Sequence, residues 1–307
     1  MKKLFLHIGA HKTGTTTIQH GLVINNDILQ ENSFYYLTDG EYEAFYNYLK
    51  FNFHDIRDFC VYSPIPCDMI DRINSENIII SCENFSWLLS YDAINRVKKD
   101  LEKYFDQIKI ITYIRRQDRE LISHYQEGSK PNRPASYFYG DEMTPLPEFT
   151  ELHRKYLDYN VRLGYWGDIF GDENLIIRVF EQDALVDGDV FSDFLHTLGL
   201  QNLPVKHPGR LNELTGYIKS KYGHLINRLF KNSQISPSNS VELIVKLYDL
   251  LPECPQKYLP DSSAMERYYA HYIDSNIALN KRFHISDKPA LFTEGRSRSL
   301  CLCRALS

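Results

Sequence analysis

The first twenty residues constrain the fold most. Lys3-Leu-Phe-Leu-His-Ile8 is a short apolar run rich in strand formers, and it passes directly into Gly9-Ala-His-Lys-Thr-Gly14 and then Thr15-Thr-Thr17. The segment from Ile18 to about Leu22 can continue as a helix. Strand, glycine turn and helix start together gather backbone N–H groups around one point, and such a point takes an anion. A phosphate there receives the loop amides, the hydroxyls of Thr15, Thr16 and Thr17, and the ammonium of Lys12. The generic phosphate loop reads G-x-x-x-x-G-K-[ST]. Gly9 and Gly14 keep its spacing, but Thr15 follows Gly14, and the lysine, Lys12, lies inside the loop. From there it can reach an oxygen that bridges two groups of a ligand.

Two further stretches follow the same pattern of strand end and polar residue. Asn77-Ile-Ile-Ile-Ser81 is a continuous apolar run of the kind found in buried parallel strands, and it ends in Cys82-Glu83. A carboxylate just beyond the C-terminal end of a parallel strand sits where open α/β sheets place their ligands, so Glu83 is a candidate general base. A cap or a structural salt bridge is the plainer alternative for it. Ile108 to Ile114 is another buried strand, and Arg115 follows it, with Ser123 eight positions on. Eight residues are slightly over two helical turns, so Ser123 returns to the side of Arg115 and both can hold one phosphate. Arg116 and Arg119 read as solvated charges on the helix face.

Together, His11-Lys-Thr-Gly-Thr-Thr16, Arg115 and Ser123 resemble the two phosphate motifs of the sulfotransferases that use 3′-phosphoadenosine 5′-phosphosulfate (PAPS). The resemblance covers about residues 1–285. It implies a three-layer P-loop-type α/β fold with a mainly parallel sheet between helices. It implies that Lys12, Thr13, Gly14, Thr15, Thr16 and Thr17 hold the 5′-phosphosulfate and that Arg115 and Ser123 hold the 3′-phosphate. Lys12 then stabilises the leaving phosphate, no divalent metal is needed, and 3′-phosphoadenosine 5′-phosphate (PAP) is the product. The family uses either His or Glu as base. No His stands at the strand end of Glu83, so Glu83 is chosen and His11 is the reserve. Relatives of this kind are often associated with carbohydrate acceptors, which makes a glycan hydroxyl the expected acceptor. Arg210, in His207-Pro-Gly-Arg-Leu-Asn212, matches the family's basic loop poorly.

Composition limits the alternatives. A chain of 307 residues buries a large core, and a formal charge of -5 argues against a mainly nucleic-acid-binding surface. No apolar stretch approaches the ~20 residues of a membrane span. The six cysteines show no metal-type spacing, which fits free thiols in a reducing compartment and a cytoplasmic location.

Helical spacing is expected near 41–51, over 97–105, through 147–170, over 187–198, and beyond Pro204 at 217–230, 241–251 and 264–283. The aromatic-rich stretch 132–144 reads as an excursion over the sheet. One domain over 1–290, with its helical part at about 205–285, is expected to precede a flexible tail at 291–307. Two other functions share the first loop: a P-loop kinase for a small molecule or sugar, and a nucleotide-binding protein without catalysis. The kinase predicts Lys directly before Ser or Thr and a magnesium carboxylate. This chain has Gly14-Thr15-Thr16 instead.

Overall fold

The computed structural model describes residues 1–38, 48–50, 60–61, 67–131, 136–139, 144–209, 216–231, 237–254, 256, 258–288 and 290–293. Its strands are β1 (Lys3–His7), β2 (Phe34–Tyr36), β3 (Leu49–Lys50), β4 (Cys60–Val61), β5 (Asn77–Ser81), β6 (Gln107–Ile114) and β7 (Leu175–Val179). β3 and β4 form a small antiparallel ladder. The other five make one parallel sheet in the order β2-β5-β1-β6-β7. β1 lies at the centre, with Leu4 opposite Ile78 on one side and Ile108 on the other.

Side chains on the two faces of this sheet build separate cores, which makes the domain a three-layer α/β structure. Leu4, Leu6, Ile78, Ile80 and Ile110 point to one face. There they meet α4 (Tyr91–Leu101) and α8 (Tyr159–Phe170), through Ile94, Val97, Leu163 and Trp166. Phe5, Ile79, Ile111 and Tyr113 point to the other face. They pack on α1 (Thr15–Ile24), α2 (Asn26–Glu31) and α9 (Val190–Leu198). A parallel sheet covered on both faces needs apolar residues at consecutive positions, which is why these strands read as unbroken apolar runs.

The remaining helices in chain order complete the numbering: α3 (Cys67–Arg72), α5 (Gln117–Gly128), α6 (Ser136–Tyr139) and α7 (Glu151–Leu157). After β7 come α10 (Tyr217–Lys231), α11 (Pro237–Asp249), α12 (Ser262–Ala270) and α13 (Ile273–Phe283). No helix among the described residues is long and apolar enough to cross a membrane.

Several element boundaries differ from the sequence reading, each for a local reason. The helical stretch 147–170 is two helices, because Asp158 leaves the helical region (φ -76, ψ 86) and caps α8 by accepting from Val161 N at 3.1 Å. The stretch 264–283 breaks likewise between α12 and α13. The amides of His271 and Tyr272 donate three residues back there, and the buried Tyr272 donates its hydroxyl to His153 O. α4 starts at Tyr91, not at 97, because Ser90 Oγ accepts from Ala93 N and caps it. The expected helix near 41–51 falls mainly outside the described residues, and Leu49–Lys50 is strand. The boundary expected at 290 falls inside packed chain: Leu291 and Phe292 are buried, and Thr293 N donates to Glu181 Oε2 at 2.9 Å. Arg210 and residues 294–307 lie outside the described residues.

Arg116 corrects the reading of a solvated charge. It is buried, its guanidinium forks onto Asp118 at 2.8 and 3.1 Å, and it covers the ring of Tyr269. A second buried carboxylate, Asp193 on α9, joins three elements. Tyr113 Oη and Arg178 Nε donate to its Oδ1 at 2.8 and 2.9 Å, and Val186 N donates to Oδ2. Replacing Asp193 by alanine leaves the buried Tyr113 hydroxyl and the part-exposed Arg178 without this acceptor. The expected loss is about 2–3 kcal/mol, below the full cost of breaking a buried pair because Arg178 still reaches water. Urea denaturation of Asp193→Ala checks it; a loss under half a kcal/mol would refute the assignment.

Candidate functional site

β1, β5 and β6 are adjacent, and the three candidate stretches leave from their C-terminal ends. The loop after β1 is braced against β6: Ala10 N donates to Tyr113 O, while Tyr113 N and Thr112 Oγ1 donate to Gly9 O. Two glycines are required by this path. Gly9 has φ 91, and a Cβ there would lie 3.1 Å from Glu83 Cβ. Gly14 has φ 84 at the N-cap of α1, where a Cβ would lie 2.9 Å from Val190 Cγ1 and 3.0 Å from Phe180 Cε2. Ile18 N is bonded to Gly14 O, and no side chain caps α1. The amides of its first turn, at Thr15, Thr16 and Thr17, therefore have no carbonyl of their own helix to bond. The observed helix begins at Thr15, three residues earlier than expected, so all three threonines belong to that turn.

The hydroxyls of the loop divide by direction. Thr13 Oγ1 donates to Ala10 O at 2.7 Å and Thr15 Oγ1 to the same oxygen at 3.4 Å, so both brace the loop from within. Thr16 is exposed and Thr17 buried. Lys12 sits in the left-handed region (φ 64), and its ammonium meets Glu127 Oε2 at 2.9 Å.

Arg115 and Ser123 come together as the eight-residue spacing predicts: Arg115 Nη1 donates to Ser123 Oγ at 2.8 Å. Tyr159 Oη donates to Arg115 O at 2.6 Å, and the guanidinium lies 5.7 Å from the Phe180 ring centre. Phe180 also faces Gly14, so one ring adjoins both phosphate candidates.

Glu83 opens a 3-10 turn, Glu83–Trp87, immediately after β5, and is half-buried. Gln19, on α1, donates from Nε2 to Ser81 O at 3.0 Å and to Glu83 Oε2 at 3.3 Å. That amide ties the carboxylate to the helix that begins at the glycine loop. His11 is engaged differently. Trp87 Nε1–H can only donate, so His11 Nε2 accepts from it at 3.2 Å, and the ring proton is on Nδ1, facing Ser86 Oγ at 2.9 Å. Burial holds His11 well below its ordinary pKa, and the neighbouring Arg162 and Lys12 charges add to the effect.

His124 follows Ser123 on α5. Tyr139 spends its hydroxyl proton on Leu121 O, so it accepts from His124 Nδ1 at 3.0 Å, and the lone pair of His124 is on Nε2. Burial lowers His124 to about 3. Trp87, stacked on Tyr156 at 4.1 Å, with Phe138 edge-on at 5.8 Å, forms an aromatic wall behind both histidines. Of the 132–144 excursion, α6 is described, and its Phe138 and Tyr139 belong to this wall.

Sequence reasoning missed Gln19, Phe180, Trp87 and Glu127. Glu127 alone had a readable signal, since it lies one helical turn beyond Ser123 on the same helix.

No protein-family model matches the chain. A stretch of 93 residues, 30% of this chain, is 32% identical to an uncharacterized protein of Archaeoglobus fulgidus, and this chain spans only 22% of that relative's length. A crystal structure of a sulfotransferase from Alicyclobacillus acidocaldarius is similar with a TM-score of 0.45 and 16% identity, covering 87% of this chain and 100% of that one. Neither similarity carries a function to this chain.

Proposed function

We propose that this chain is a PAPS-dependent sulfotransferase that sulfates a hydroxyl or amine, with a carbohydrate as the favoured acceptor. The observation behind this reading is the 2.8 Å contact between Arg115, at the end of the strand next to the glycine loop, and Ser123 on the helix that follows. Two separate anion sites on adjacent strand ends suit a ligand with phosphates at both ends of a nucleoside. ATP-like donors have no use for the second. The residues fit such a ligand: first-turn amides of α1 with Lys12 for one end, a guanidinium and a hydroxyl for the other.

When bound, PAPS supplies an activated sulfuryl group whose leaving group is a phosphate ester. Glu83, steadied by Gln19, takes the proton from the acceptor hydroxyl or amine. Lys12 and the loop amides of Thr13 to Thr17 stabilise negative charge growing on the departing phosphate oxygen. Thr13 and Thr15 act through their amides, since their hydroxyls are turned to Ala10 O. His11 gives its lone pair to Trp87, which favours Glu83 over it as base. A cytoplasmic location belongs to the same reading, with Cys254 outside any disulfide.

Calorimetric titration with PAP, without magnesium and beside ATP and AMP, tests the donor. The expected result is micromolar binding of PAP alone. Arg115→Ala and Lys12→Ala should each weaken it by roughly 10- to 100-fold, as expected for the loss of a charge-assisted contact. Equal or better ATP binding, or a strict need for magnesium, would overturn the reading in favour of a kinase.

A further inference from the structure

The ammonium assigned to the donor already has an anion. Glu127 Oε2 lies 2.9 Å from Lys12 Nζ and 2.9 Å from Lys130 Nζ. Burial opposes its charge, but Lys12 and Lys130 outweigh burial and bring the carboxyl down to about 2. Glu127 therefore stays ionised at any working pH. It makes with Lys12 the same kind of charge-assisted contact that a phosphate oxygen would make.

The carboxylate and the ligand thus compete for one cation. A ligand phosphate brought up to Lys12 while Glu127 holds it meets a like charge one ammonium away, at a part-buried position where screening is incomplete. The Lys12 backbone is fixed in the loop, so the ammonium, at the end of its flexible stem, is the part that can turn. Lys130 gives the carboxylate somewhere to stay. It is more exposed than Lys12 and already bonds the same oxygen.

We propose that Glu127 is an exchangeable counter-ion for Lys12. It holds the ammonium until a phosphate or phosphosulfate enters and takes the ammonium over, while the carboxylate passes wholly to Lys130. This rests on the donor site described above and adds a positioning residue to it. The exchange favours ligands with more than one negative charge near the loop, because a weakly charged ligand gains too little from Lys12 to displace a carboxylate. It also keeps Lys12 from binding stray monovalent anions.

Titration of the full chain with PAP and, separately, with inorganic pyrophosphate tests this. Glu127→Gln should bind both roughly fivefold more tightly, the scale of a part-exposed ion pair removed from competition. Lys130→Met should weaken both by a similar factor, and that loss should vanish in the double variant with Glu127→Gln. Lys130 is a surface side chain, so its variant keeps the test available if Glu127→Gln does not fold. Equal or weaker binding by a folded Glu127→Gln protein, or a Lys130→Met loss that persists in the double variant, overturns the exchange. Pyrophosphate affinity that responds to Glu127→Gln, with PAP bound no better than pyrophosphate, keeps the exchange and overturns the PAPS reading. Failure of every variant to bind either anion overturns both.

Discussion

Glu83→Gln is expected to lower PAPS turnover with a polysaccharide acceptor by about 10³-fold, while PAP affinity stays within about twofold of the parent. Glutamine keeps the shape of the side chain and can still meet the Gln19 amide through its oxygen. It cannot take a proton. A fall in turnover with unchanged product binding is the pattern of a group needed for the chemical step rather than for holding the nucleotide. PAP release followed in parallel with PAP titration separates the two. Turnover reduced less than about fivefold would remove Glu83 as base and turn attention to the lone pair of His124. A matching loss of PAP affinity would mean that Glu83 shapes the loop, which the closeness of its backbone and Cβ to Gly9 makes a real competitor.

The second large effect is on stability in acid. His7 is buried within β1, with Nδ1 2.8 Å from Ser81 Oγ and the Tyr113 and Phe194 rings around it. Burial lowers it to about 3, lowers His124 to about 3 and lowers His224 to about 4. In the unfolded chain all three titrate near 6.5. Below that pH the unfolded chain binds more protons than the folded one, so stability falls as pH drops from about 6.5 towards 3. By pH 4.5 the combined loss is on the order of 5 kcal/mol, comparable with the whole stability of an ordinary domain. Urea midpoints at pH 7 and pH 4.5 should therefore differ widely, and His7→Leu should narrow the gap. Equal midpoints would contradict the neutral, buried state of these rings.

The parts of the site that were legible in the sequence are those set by one segment at a time. Strand, turn and helix start are contiguous, so Gly9, Lys12, Gly14 and the threonines could be read together. Arg115 and Ser123 share a strand end and a helix, and helical geometry alone brings them to 2.8 Å. What stayed hidden depends on chain far away. Nothing near Arg116 says that Glu266 and Tyr269 will cover it. Lys12 and Glu127 are distant in sequence, and their pairing follows from where α5 crosses the loop. The direction of the Thr13 hydroxyl depends on a carbonyl freed by the loop's own path. Helix breaks at Asp158 and Tyr272 were missed because the apolar period continues across them, while capping and a buried tyrosine hydroxyl end the helices.

The bracing of the glycine loop has a thermodynamic consequence. Its first residues are bonded to the middle of the sheet, and Gly14 is wedged against Val190 and Phe180, so the donors stand in place before any anion arrives. Little backbone freedom is left to lose on association. Binding of a phosphate there should accordingly show a favourable enthalpy with only a small entropic penalty from the main chain, and the ordering cost should fall on the one flexible stem that must turn, that of Lys12.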